Sequence, residues 1–208
     1  MTKKRIPQST VRRLSQYLNC LSLLSSEKCR EISSHELAER VGVKSTQIRQ
    51  DFHYFGGFGQ PGCRYNVGQL IGELEAILGL DKPQNMIIVG AGNIGQALAH
   101  YDKFEPLGFR LKGIFDVNPR LFGLKIRGVG VRDVKELPRF VKDHHIRIGI
   151  ITTPARVAQS VADLLVRIKI KGIWNFSPMN VTAPEGVSMV NENLSVGLMT
   201  LSHKIKGG

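Results

Sequence analysis

Four apolar residues, Met86, Ile87, Ile88 and Val89, run without a break into Gly90-Ala91-Gly92-Asn93-Ile94-Gly95. A short apolar run of this kind suits a strand buried on both faces of a parallel sheet. The three glycines have separate jobs. Gly90 makes a tight turn, Gly92 admits a pyrophosphate against the backbone, and Gly95 lets the next helix pack on the strand. A helix continuing over 96–104 would offer its free N–H groups to phosphate. A second strand, 111–115, ends at Asp116, 21 residues past the last glycine. An acid there binds the adenine ribose 2′-OH and repels a 2′-phosphate, which favours NAD(H) over NADP(H). Arg120 lies close enough to keep NADP(H) open.

The alternation continues as a helix over 134–143, a strand over 146–151, a helix over 155–170 and a strand over 172–176. The fold class is therefore α/β, with a Rossmann doubly wound parallel sheet over 85–190. Thr152, Thr153 and Pro154, and Asn175 and Phe176, fall at strand C-terminal ends, where such sheets bind ligands. Phe176 packs near a nicotinamide on this reading; a buried aromatic beside a loop proline is the alternative. A dehydrogenase needs a substrate domain and an acid/base group at the nicotinamide. Neither is evident, so the chain reads as a cofactor-binding protein and not an enzyme.

The N-terminal segment, 1–80, has a different period. Val11, Leu14, Tyr17, Leu18, Leu21 and Leu24 recur at helical spacing over 8–25. Ser33 and Glu36 form a capping box opening a short helix over 34–40. Gly42 ends that helix, and Ser45 caps another over 46–55. The spacing of Ala38, Gly42 and Ile48 fits a helix-turn-helix, with Ile48 and Phe52 inward. Lys44, Ser45, Thr46, Gln47, Arg49 and Gln50 then form a reading face, because Gln and Arg match adenine and guanine edges in the major groove. The glycine-rich stretch 56–65 reads as a hairpin wing, with Arg64 at its tip for phosphate or a minor groove. Val67, Leu70, Ile71, Leu74, Ile77 and Leu78 close this unit as a helix, and 81–85 is a linker. The N-terminal part is a winged helix-turn-helix.

Net charge of +12 favours a polyanionic partner, and double-stranded DNA fits it. The charge is spread: 11 Lys and Arg oppose 7 Asp and Glu over 1–80, and 18 oppose 10 over 81–208. Lys3, Lys4, Arg5, Arg12 and Arg13 cluster at the start of the first helix, which suits phosphate contact; a solvated basic arm is the bland reading. No apolar segment follows the basic N-terminus, so a cytoplasmic protein without a signal peptide or membrane span is expected. Cys20, Cys29 and Cys63 form no pair motif; Cys63, beside Arg64, is the one candidate for a reactive thiol. The histidines show no ligand spacing, so no metal is expected.

The tail, 191–208, carries Leu194, Leu198, Leu201 and Ile205 on one helical stripe. Helix-turn-helix proteins bind palindromes as dimers, so this stripe is assigned to exchange across a homodimer, a domain-swapped C-terminal helix.

Taken together, Gln47-Ile48-Arg49-Gln50-Asp51-Phe52 leading into Tyr54-Phe55-Gly56, the glycine run 90–95 with Phe115-Asp116, and 171–178 (Lys-Gly-Ile-Trp-Asn-Phe-Ser-Pro) resemble the Rex family of redox-sensing transcriptional repressors. The match covers nearly the whole chain. It implies a homodimer on a palindromic operator near fermentation and respiration genes. It also implies release when NADH favours a closed dimer, with NAD⁺ competing and permitting DNA binding. Tyr54 falls in the DNA-reading motif. Tyr101 matches a family tyrosine that couples cofactor to dimer geometry.

Three departures stand out. Asn19 occupies a position where arginine is usual, and Asn193 one where aspartate is usual. In the family those charges serve a state-dependent network with the tyrosine, so Asn19, Tyr101 and Asn193 are the coupling candidates, and a weakened NADH response is expected. In the wing, Pro61 stands where arginine is usual and Arg64 where glycine is usual. The competing readings are an NAD-dependent oxidoreductase with an accessory helical domain, and a repressor sensing another nucleotide.

Overall fold

The computed structural model describes residues 6–54 and 64–207. The chain divides into two compact units, Met1–Lys82 and Pro83–Gly208.

In the first unit, α1 (Gln8–Ser26) starts after Pro7, whose fixed φ suits a helix start. Leu14, Tyr17, Leu18, Leu21 and Leu24 are buried along one stripe. At roughly 1.5–3 kcal/mol for each large apolar side chain, this stripe is the main force fixing α1 to the unit. β1 (Glu31–Ile32) follows, then α2 (Ser34–Val41). Ser33 Oγ accepts from Glu36 N at 3.2 Å, and Glu36 Oε2 accepts from Ser33 N at 2.7 Å, a complete capping box. Gly42 ends α2 with φ at +75°, a left-handed conformation open to glycine. α3 (Ser45–Tyr54) begins after two intervening residues, and Ile48 and Phe52 are buried against α1 and α2 residues. Ser45 is the first helical residue rather than a cap, because the Lys44 carbonyl already accepts from Gln47 N and Ile48 N.

β2 (Tyr65–Asn66) pairs antiparallel with β1, placing Ile32 opposite Tyr65. α4 (Val67–Leu78) is capped by Asn66, whose Oδ1 accepts from Gln69 N at 2.9 Å. The wing expected over 56–65, including Cys63, lies outside the described residues apart from Arg64 and Tyr65, as do the helix-end position Phe55 and the basic residues Lys3, Lys4 and Arg5.

The second unit is a sheet of seven strands among the described residues. They are β3 (Gln84–Val89), β4 (Phe109–Asp116), β5 (Lys125–Ile126), β6 (Val129–Asp133), β7 (Ile148–Ile151), β8 (Gly172–Asn175) and β9 (Ser188–Asn191). Their order is β5-β6-β4-β3-β7-β8-β9. All neighbours are parallel except β5 with β6. The chain moves outward from β3 through β4 and β6, then returns to the far side of β3 with β7. That reversal opens a crevice at the strand C-terminal ends. α6 (Leu137–Asp143) and α7 (Ala155–Arg167) cover one face through Leu137, Phe140, Ala158, Ala162 and Leu165, against Ile87, Val89, Phe115 and Ile151. α5 (Asn93–His100) packs on the other face, which includes Ile88, Ile114 and Ile150.

Several boundaries differ from the sequence expectation. α5 starts at Asn93, with Gly92 as its N-cap, and stops at His100 instead of continuing to 104. It stops because Tyr101 turns extended at φ −71° and ψ 106°, which frees Phe104 to pack edge-on against Trp174 at 6.0 Å. α6 is preceded by a separate 3-10 turn, Val134–Glu136. α7 ends at Arg167, three residues early. The short strands β5, β6 and β9 have no alternating pattern long enough to read from sequence.

The last helix, α8 (Leu194–Lys206), is capped by Asn193, whose Oδ1 accepts from Ser195 N at 3.0 Å and Ser195 Oγ at 2.6 Å. Its apolar stripe lies bare, with Leu198 70% and Ile205 72% exposed. Among the described residues, no helix is long and apolar enough to cross a membrane, and no cluster of His, Cys, Asp or Glu is placed to hold a metal.

Candidate dinucleotide site and nucleic-acid interface

The C-terminal ends of three parallel strands meet at the glycine run. Gly90 N donates to Phe115 O at 2.7 Å and Thr152 N to Val89 O at 2.9 Å, joining the tips of β3, β4 and β7. Gly90 has φ at +109°, and a Cβ there would sit 2.9 Å from the Thr152 backbone and hydroxyl. A Cβ on Gly95 would strike the Gly90 carbonyl oxygen. Both glycines are therefore fixed by the protein's own packing. Gly92 is different: a Cβ there meets nothing within 4 Å. Its space is open crevice, at the start of a helix that has no side-chain cap. Gly92, Asn93 and Ile94 are exposed while Ala91 and Gly95 are buried. Uncapped N–H groups beside an open glycine fit a phosphate-bearing ligand.

Asp116 closes the other side. Its Oδ2 accepts from Ala91 N at 2.6 Å and its Oδ1 from Asn118 N at 2.8 Å. The acid thus belongs to the glycine loop, and its remaining lone pairs stay available to hydroxyl donors. Thr152 Oγ1 donates to Gly90 O at 2.7 Å, with Val89 O at 3.1 Å, so this side chain shapes the loop. The neighbouring Thr153 Oγ1 is buried without a hydrogen-bond partner among the described residues. An orphaned hydroxyl at a strand end fits a ligand with polar groups of its own. Pro154 is exposed and precedes the first residue of α7.

Two expectations at the β8 end divide. Asn175 is fully buried, with Nδ2 donating to Met179 O at 2.7 Å and Asn191 Oδ1 at 2.8 Å, and Oδ1 accepting from Ser177 N at 2.9 Å. Its amide pins the following loop to β9 and is fully buried there, so the side chain presents no surface to a cofactor. Phe176 is half-buried and packs against Trp174 at 4.5 Å. Trp174 and Phe104 extend this into an aromatic row reaching Tyr101, whose ring lies 4.8 Å from Phe104 and is 52% exposed. Trp174 Nε1 also points to Glu192 Oε1 at 3.5 Å, beside Asn193. This row was invisible in sequence because its members come from two stretches about 70 residues apart.

In the first unit a buried carboxylate organises α3. Asp51 accepts from Arg13 Nη2 at 2.6 Å and Nε at 2.7 Å, from Tyr17 Oη at 2.9 Å and from Gln47 Nε2 at 3.1 Å. Burial pushes the Asp51 carboxyl up, but those hydrogen bonds and the Arg13 charge together outweigh it and leave the group below the ordinary aspartate value. Burial, and then the adjoining carboxylate, push the Tyr17 phenol well above its ordinary value. The Asp51 hydrogen bond likewise raises Arg13.

This network revises two of the expected DNA contacts, and a separate pairing revises a third. Arg13 is turned into Asp51 and Thr10 instead of standing free for phosphate. Gln47 is drawn to the same carboxylate. Arg64 directly precedes β2, with its guanidinium 3.0 Å from Glu36 and hydrogen-bonded to Glu31 O, so it is paired within its own unit. Arg12, Lys44, Thr46, Arg49 and Gln50 are exposed, Ser45 is half-buried, and Tyr54 ends α3. Asn19 is exposed on α1. His53, which the sequence reading passed over, is also exposed on α3.

A helix-turn-helix unit and a dinucleotide-type crevice in one chain define a ligand-responsive DNA-binding protein. Comparison with known proteins agrees. A family model described as a putative DNA-binding protein N-terminus matches residues 5–53, and one described as a CoA binding domain matches 81–179. The redox-sensing transcriptional repressor Rex of Caldanaerobacter subterraneus subsp. tengcongensis is 52% identical over 99% of this chain and 92% of its own. That of Clostridium tetani is 48% identical over 98% and 97%. Among solved structures, RSP with β-NAD⁺ and operator DNA superposes with a TM-score of 0.92 at 50% identity, covering 99% of this chain and 94% of that one. RSP with β-NADH gives 0.89 at 48%, covering 99% and 96%. The chain belongs to the Rex family of redox-sensing transcriptional repressors. Its nucleotide fold is that of a regulator, not of an enzyme.

Proposed function

We propose that this chain is a cytoplasmic, homodimeric repressor that binds a palindromic operator and releases it as the NADH:NAD⁺ ratio rises. The observation that carries the reading is the Asp116 Oδ2 to Ala91 N bond of 2.6 Å, which ties the ribose-type acid to an open glycine loop at the sheet's crevice. The solved relative RSP, described with β-NADH and with β-NAD⁺ plus operator DNA, supports it. Gly90, Ala91, Gly92, Asn93, Ile94 and Gly95 take the pyrophosphate, Asp116 the ribose, and Thr152, Thr153, Pro154 and Phe176 the nicotinamide side. Arg12, Lys44, Ser45, Thr46, Arg49, Gln50 and Tyr54 face DNA. A second copy of the chain covers the bare α8 stripe.

In this chain the response to NADH is weaker than in relatives carrying charges at positions 19 and 193. Asn193 spends its carbonyl oxygen on the α8 cap, and a neutral amide hydrogen-bonds less strongly than a charged group does. The test is a salt-controlled titration of the full chain on a palindromic duplex it selects from a random library, with NADH, NAD⁺, NADPH, CoA or no ligand. Release by NADH alone, needing a higher ratio than the Asn19→Arg, Asn193→Asp double variant, is expected. Full release at the same ratio for both proteins overturns the weakened response. Indifference to NADH overturns the redox reading.

A further inference from the structure

α3 sorts its polar side chains into two groups. Gln47 is turned inward, its amide 3.1 Å from a carboxylate that already holds Arg13 and Tyr17. Thr46, Arg49, Gln50 and His53 are exposed, and among the described residues they make no side-chain hydrogen bond or ion pair. At about 100° per residue these four occupy a sector about 100° wide, on the side away from Ile48 and Phe52. His53 lies three residues from Gln50 and four from Arg49, so it continues their face by one turn. From Thr46 to His53 the face runs about 10 Å along the helix axis, the length of about three base-pair steps.

We propose that His53 reads a base edge in the major groove, extending the face of Arg49 and Gln50, and that Gln47 braces α3 on α1 without touching a base. The inference rests on the operator-binding reading above. An imidazole suits the role because one ring nitrogen donates and the other accepts, matching guanine N7 and O6 or the amino group of adenine or cytosine. Gln47 is unsuited because leaving the Asp51 carboxylate strips a buried acceptor of one partner, which is costly.

The test uses the full-length chain and duplexes enriched by it from a random-sequence library, with binding followed by fluorescence anisotropy. His53→Ala is expected to erase the preference at one position in each half-site. It should weaken the wild-type duplex at least about fivefold, with an unchanged salt slope. His53→Asn should move that position toward adenine. Gln47→Met should melt at a lower temperature yet select the wild-type base pattern. An intact pattern with His53→Ala overturns the inference, as does a uniform loss with a shallower salt slope, which marks a phosphate contact. A changed base pattern with Gln47→Met also overturns it. If the wild-type chain enriches no sequence, the operator reading itself fails, and that outcome is distinct from the others.

Discussion

Arg13 and Asp51 meet as a two-pronged ion pair across α1 and α3, with Nη2 2.6 Å from Oδ1 and Nε 2.7 Å from Oδ2, on a carboxylate only 4% exposed. A helix-turn-helix presents its second helix to DNA, so the angle of α3 matters to function as well as stability. Asp51→Ala would strand three donors at once: Arg13, Tyr17 and Gln47. The expected cost is about 2–3 kcal/mol, below the full value for a buried pair because Arg13 is partly solvated. For a unit of this size that is a fall of about 10 °C or more, read by circular dichroism on thermal unfolding. A change under about 2 °C would show that Asp51 contributes no net stability.

The same network sets the pH response of this unit. The folded Asp51 carboxyl titrates below its ordinary value of about 3.9, so its contribution is present above about pH 4 and is lost as pH falls through the folded pKa. Tyr17 titrates above its ordinary value of about 10, so its contribution is full below about pH 10 and is lost as pH rises toward the folded pKa. A stability plateau between those limits is expected. Asp51→Asn should flatten the acid limb and Tyr17→Phe the alkaline limb. Identical limbs in both variants would assign the pH response to other groups.

Gly92 and Gly95 should answer alanine substitution in opposite ways. Gly95→Ala drives a Cβ into the Gly90 carbonyl and should unseat α5, lowering the melting temperature along with ligand binding. Gly92→Ala enters open crevice at an ordinary φ of −72°, so it should cost no more than about 1 kcal/mol of stability. Its methyl group would nevertheless occupy the proposed pyrophosphate approach and weaken NADH about tenfold or more by calorimetry. Wild-type affinity in Gly92→Ala would mean that the phosphate lies elsewhere.

Asp116 holds the glycine loop through Ala91 N and is the proposed selector of the ligand. Asp116→Asn keeps the shape, but its amide can accept from Ala91 N only through Oδ1. NADH affinity should fall by about 1–2 kcal/mol, while discrimination against NADPH shrinks because the repelling charge is gone. Parallel calorimetric titrations would show it; an unchanged NADH to NADPH ratio would count against the acid as the selector.

The α8 stripe predicts assembly. Leu198→Glu with Leu201→Glu replaces two exposed apolar residues by charges, which has no reason to destabilise an isolated chain. It should convert a dimer into a monomer by sedimentation at micromolar concentration, at no loss of the Pro83–Gly208 fold. A dimer unaffected by both changes would place the interface on another surface.

Local chemistry was readable in the chain itself. Ser33 and Glu36 announce a helix start, Gly42 its end, and Met86 to Gly95 a strand entering a glycine turn, because each signal acts within a few residues. Contacts between distant positions were not readable. Arg13 looked like a free cation and Gln47 like a base reader until packing brought both to Asp51, up to 38 residues away. Asn175 looked like a ligand contact until β9 closed over it. His53 was overlooked because only the inward turn of Gln47 shows which face of α3 remains. The turn chemistry and the placement of the acid after the second strand follow from short-range patterns in the chain. The tertiary structure alone decided which polar groups were spent on one another, since a buried carboxylate or amide must be satisfied by whatever donors the fold brings within about 3 Å.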